Sequence, residues 1–139
     1  MQYFYRIVDA ERNWVGKKTT TAEAAVVKGV RITAGLISKE RGSGSQPHRH
    51  PKVEQFNYVL KGQFKAMVEG EHKLMEPGDM VHIPPNALHH MVAVGEGENI
   101  YFMAKDAHAD PELWILGKNE DQTLDKPYFE PGFEKEDAK

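Results

Sequence analysis

Apolar and polar side chains alternate in short runs through the middle of the chain, and Gly or Pro punctuates those runs at regular intervals. On an extended backbone, Phe56, Tyr58 and Leu60 share one face while Gln55, Asn57 and Val59 share the other. A period of two marks strands rather than helices. Strands are predicted over Val30 to Ser38, Val53 to Leu60, Phe64 to Glu69, His72 to Met75, Met80 to Ile83, His90 to Val94 and Ile100 to Lys105. Gly70-Glu71 predicts a hairpin, and Pro77-Gly78-Asp79 predicts a turn. Pro84-Pro85-Asn86 must interrupt pairing because neither proline has an N–H to donate. Thr21 to Val27 is the one stretch predicted helical. Short strands with frequent turns, no internal repeat and no low-complexity segment predict an all-β barrel or sandwich.

At 139 residues the chain has room for one domain with one core. We divide it into an N-terminal segment over 1–29 packing on the barrel, the barrel over 30–107, and an acidic extension over 108–139. Tyr128, Phe129 and Phe133 are expected to pin that extension down. Residues 117–139 hold seven acidic and four basic side chains, leaving 14 of each sign in the rest. With its charge so balanced, the barrel lacks the excess expected of a nucleic-acid binder, and a small molecule is the expected partner. No apolar run is long enough for a membrane span and the amino terminus has no signal-peptide pattern, so no membrane partner and a cytoplasmic location are expected. The absence of cysteine excludes disulfides, thiolate ligands and a thiol nucleophile. Any metal must therefore be held by nitrogen and oxygen.

The chemistry suited to that restriction lies in the histidines. His48 and His50 are two residues apart, so on an extended chain their rings point the same way about 6.8 Å apart and can converge on one ion. His89 supplies a third ligand after the broken strand at Pro84-Pro85-Asn86, while the adjacent His90 would point the opposite way.

These residues resemble the cupin family. Its first motif is a Gly, five residues, His-x-His, an acidic or amide ligand and a Gly closing the hairpin, matched by Gly42, His48, His50, Gln55 and Gly62. Its second motif resembles Pro77-Gly78-Asp79, Ile83-Pro84 and His89. The resemblance spans about residues 30 to 105 and implies a cupin double-stranded β-helix, or jelly-roll, barrel. It also implies one divalent metal ion (Fe, Mn, Ni or Zn) and a homodimer. The stripe of Phe56, Tyr58 and Leu60 would be covered by a second sheet or by the dimer partner.

The family usually has Glu as fourth ligand, whereas this chain has Glu54 and Gln55 side by side. Parity with Asn57 and Val59 and the spacing to Gly62 favour Gln55, with Glu54 as the alternative. Three imidazoles and an amide leave the full double charge on the ion, which favours Lewis-acid work. The expected function is a metal-dependent enzyme acting on a small carbonyl- or hydroxyl-bearing molecule by enolate-like chemistry, as a dioxygenase or as an oxygen-independent lyase or isomerase. Small cupins that linearise unsaturated uronates also pair three His with Gln, although no acid-base pair of theirs can be matched here. The rival reading is a non-catalytic binding or sensing cupin. Asn57, Lys65, Met67, Tyr101, Met103 and Lys105 would project into the barrel if their strands keep parity, and Asn57, Tyr101, Lys105 and His90 are the candidate catalytic groups. Each has a plain alternative as core, solvated surface or packing residue.

Overall fold

The computed structural model describes residues 2–10, 13–14, 23–44, 46–106 and 114–115. Eleven strands occur among them: β1 (Asn13–Trp14), β2 (Glu23–Lys28), β3 (Thr33–Glu40), β4 (His48–Arg49), β5 (Gln55–Lys61), β6 (Phe64–Val68), β7 (Glu71–Met75), β8 (Met80–Ile83), β9 (His89–Ala93), β10 (Glu98–Lys105) and β11 (Trp114–Ile115). One short 3-10 turn, Ile7–Asp9, precedes them. They form two antiparallel sheets, ordered β1-β2-β3-β10-β5-β8 and β11-β4-β9-β6-β7. Chain-distant strands lie beside one another in both sheets, as in the jelly roll that the motifs implied.

The predicted alternation is what holds the sheets together. Val59 and Phe64 are fully buried between them, with Ile37, Met91, Ala93, Tyr101 and Met103. The Phe64 and Tyr101 rings meet edge to face, 5.2 Å apart. Complete burial of one such side chain stabilises the fold by about 1.5 to 3 kcal/mol. The outer face of the six-stranded sheet keeps Phe56, Tyr58, Leu60, Met80 and Phe102 exposed. Among the described residues no second sheet lies over the stripe on β5.

Several expectations change. Thr21 to Val27 is not a helix: the described part runs as β2, paired along its length with β3. Ala24 enters the core on one side and Ala25 is buried on the other, and the Ile7–Asp9 turn lies close to β2 and β3. Burial on both faces overrides the helix preference of two alanines. The strand predicted from Val30 begins only at Thr33 and continues to Glu40, leaving Val30 and Ile32 exposed. The hairpin turn is one residue earlier than predicted, at Glu69-Gly70, where φ values of 48° and 83° give the primed turn that strand twist favours. Tyr128, Phe129 and Phe133 lie outside the described residues.

Candidate metal centre

Two short strands bring the histidines together. His48 opens β4 and pairs directly with His89, the first residue of β9, while His50 follows the end of β4. The Pro84-Pro85-Asn86 turn makes this possible, since Asn86 adopts φ 66° and the chain re-enters the sheet at His89. Its position is fixed from both sides: the Asn86 N–H donates to the His50 carbonyl at 2.8 Å, and Arg49 Nη1 donates to the Asn86 carbonyl at 2.8 Å. Arg49 also reaches Glu69 at 3.2 Å, and the same carboxylate oxygen accepts from the Leu88 N–H at 2.7 Å. A clamp on the outer face therefore joins β4, the β6–β7 turn and the start of β9.

Inside that clamp, the ligand atoms of His48, His50 and His89 all lie within 4.8 Å of one another. Among the described residues this is the one group of three or more His, Asp or Glu side chains placed to hold an ion. His48 Nε2 and His50 Nε2 are 3.1 Å apart. His48 Nδ1 lies 2.6 Å from the Gln46 carbonyl and His89 Nδ1 lies 2.9 Å from the Ala87 carbonyl. A carbonyl can only accept, so each Nδ1 carries the proton and each Nε2 presents its lone pair. His48 and His89 are buried, whereas His50 is half-buried and marks the open side. Burial is the main cause that holds the His48 pKa well below its usual range, and the neighbouring charges of His89, His50 and Lys39 push the same way against the bond to Gln46. His89 is lowered to about 4, chiefly by burial and further by Lys39 and His90, against the bond to Ala87. Both rings are therefore neutral at neutral pH and can ligate without first losing a proton.

The remaining candidates divide by face. Gln55 lies on the inner face of β5, and its Nε2 donates to Asn57 Oδ1 at 2.9 Å. Glu54 instead meets His82 at 2.7 Å on the exposed outer side, where His82 stacks on Phe56. Asn57, Tyr101 and Met103 are buried on inner faces, and Lys105 is half-buried directly across from Gln55. Burial, then Lys28, lowers the Lys105 pKa. His90 faces away from the interior, opposite Met67. Lys65 and Met67 do not enter the barrel, because the inner face of β6 is that of Phe64 and Ala66. Lys65 is exposed, and the Met67 sulfur accepts from the Gly70 N–H at 3.3 Å.

Among the interior residues not singled out from the sequence, Lys39 matters most for the site. Lys39 is 3% exposed, on the inner face of β3 beside Ile37, one position past the predicted strand end. Parity carried one residue further places it on the face of Ile37, but does not distinguish a buried lysine there from a solvated one.

The sequence matches the Cupin domain family over residues 36–105, a span containing all three histidines and Gln55. The chain belongs to the cupin family. Solved structures agree on the fold. This cupin superposes on KdgF from Halomonas sp. with a TM-score of 0.67 and 22% identity, covering 79% of this chain and 98% of that one. The polyketide cyclase RemF from Streptomyces resistomycificus gives 0.71 and 18%, covering 87% and 89%. A predicted oxalate decarboxylase from Thermotoga maritima gives 0.68 and 13%, covering 76% and 100%. No curated protein matches the sequence. No helix among the described residues is long and apolar enough to cross a membrane.

The donor set of the cupin fits a divalent ion. Two nitrogens bound at about 2.1 Å and at a right angle to each other lie roughly 3.0 Å apart, close to the His48–His50 separation. Neutral imidazoles whose other nitrogen is tied to a backbone carbonyl are oriented as metal ligands usually are.

Proposed function

We propose that this cupin is an enzyme holding one divalent ion (Fe, Mn, Ni or Zn) on His48, His50, His89 and Gln55, and that it acts on a small molecule offering a carbonyl or hydroxyl oxygen. The observation that carries the reading is the convergence of three histidines, two of them with Nδ1 bound to carbonyls, at one point of a buried wall. Gln55 is favoured over Glu54 because its amide nitrogen is committed to Asn57, leaving Oε1 as the atom to offer, while Glu54 is engaged with His82 outside.

An ion held there would polarise a substrate oxygen and stabilise the anion formed by losing a proton beside it. The chain contributes position and dryness. Asn57 fixes the Gln55 amide and meets the sulfur of Met91, which belongs to the buried core with Tyr101 and Met103. Four neutral donors leave the charge of the ion undiminished, which favours an isomerisation or bond cleavage without oxygen over oxygen activation. The exposed apolar face of β5, β8 and β10 supports a homodimer as the assembled form.

The test is metal analysis of protein purified without added metal, followed by a screen of enolisable and phenolic substrates with oxygen uptake recorded. Turnover without uptake is expected. Uptake matched to turnover would make the cupin a dioxygenase, and binding without any turnover would contradict the enzyme reading.

A further inference from the structure

We propose that Lys39 is an anion anchor inside the barrel, so that the molecule taken by the site carries a carboxylate as well as the oxygen offered to the metal. The inference rests on the metal-centre reading above and adds the charge of the substrate to it.

Lys39 follows Gly35 and Ile37 along the inner face of β3 and is almost wholly buried. Its ammonium donates one hydrogen bond, to the Met91 carbonyl at 2.9 Å, and lies 5.5 Å from the centroid of the Tyr101 ring. An ammonium has three N–H groups, so donors remain for a ligand. Among the described residues no carboxylate pairs with it: the inner faces of β3, β5, β9 and β10 carry no Asp or Glu. A buried cation without a counter-ion is unfavourable, and a face of an aromatic ring compensates only in part. Methionine would fill the same volume without that cost, so packing alone gives no reason for an ammonium here.

The position of Lys39 relative to the histidines supplies the functional reading. Met91 lies two residues beyond His89 on the same face of β9, roughly 7 Å along the strand. Contacts run from one site to the other. Gln55 Nε2 donates to Asn57 Oδ1, and Asn57 Nδ2 donates to the Met91 sulfur at 3.6 Å. The positive charge of Lys39 is felt at both His48 and His89. A divalent ion on neutral ligands together with an ammonium would make the inner faces of β3, β5, β9 and β10 positive, with no anionic side chain on them. Such a site selects an anion. Burial lowers the Lys39 pKa to about 7, so an arriving carboxylate would draw its proton fully onto the amine and form a charge-assisted hydrogen bond.

The test uses the zinc-loaded protein with 4-oxopentanoate and its neutral amide as probes, their dissociation constants being read by ligand-observed NMR. Wild type is expected to prefer the carboxylate by about tenfold, the size of one charge-assisted hydrogen bond. In Lys39→Met the preference should fall several-fold, any remainder being due to the ion, with the amide unchanged, and Lys39→Arg should restore part of the loss. Should Lys39→Met not fold, Lys39→Gln carries the same expectation. No carboxylate preference in wild type, or a preference undiminished in Lys39→Met, overturns the anchor, as does an equal loss for both probes. Metal content measured on the same samples separates the two readings: a metal-free wild type that still prefers the carboxylate through Lys39 would sink the metal centre and leave the anchor standing.

Discussion

The backbone carbonyls of Gln46 and Ala87 determine which nitrogen of His48 and His89 is free, and burial determines that both rings are neutral. A pH dependence follows. With a folded pKa near 4 against the usual 6.5, protonating His89 costs more in the folded state than in the unfolded chain. Its contribution is complete above pH 6.5 and is lost as pH falls through 4. Urea titrations of metal-stripped protein should therefore show stability falling across that window by up to about 3 kcal/mol, and His89→Gln should flatten the fall. At position 55 the sign is set by charge: Gln55→Glu should tighten metal retention and slow an oxygen-independent reaction, whereas Gln55→Leu should weaken retention. Equal affinity and turnover in both variants would remove Gln55 from the site. The metal-binding candidates were legible in sequence because a strand spacing of two and the closing Gly62 constrain them strongly. Lys39 was not, because the apolar run before it ends at Ile37 and nothing local distinguishes a buried lysine from a solvated one.

At the scale of elements, the ends of the barrel depend on polar side chains that alternation does not reveal. Asn99 is fully buried, with Oδ1 accepting from the Gln63 N–H and Nδ2 donating to the carbonyls of Lys39, Gly95 and Gly97. Gly62 sits at φ 81°, and a Cβ there would collide with the Asn99 side chain. Asn99→Ala should cost about 2 to 4 kcal/mol by leaving buried backbone groups unpaired, which thermal or urea unfolding would measure. Stability within about 0.5 kcal/mol of wild type would show that water replaces the amide. Central strands were readable because Val59, Phe64 and Met103 must alternate with solvated neighbours. β2 was misread because its two alanines gain their place from a partner distant in sequence, Ala24 opposite Ile37 and Ala25 opposite Leu36 on β3. β4 is only two residues long and could be placed in the sheet only through its partners, β9 and β11.

For the whole molecule, the two sheets leave the outer face of β5, β8 and β10 apolar and open, with Phe56, Tyr58, Leu60, Met80 and Phe102 exposed together. A second copy covering it should give a dimer in sedimentation at micromolar concentration, and Tyr58→Asp with Phe102→Asp should yield monomer without loss of bound metal. A wild-type monomer would leave that face for another partner. The metal centre itself is the central claim, and its most direct test is metal per chain after dialysis against a chelator. Wild type and His72→Ala, whose ring lies on exposed β7, should retain one ion per chain. His48→Ala, His50→Ala and His89→Ala should each fall below about a tenth of that, since three protein ligands are near the minimum for tight retention. One ion per chain in all four variants, or none in wild type, would contradict the account.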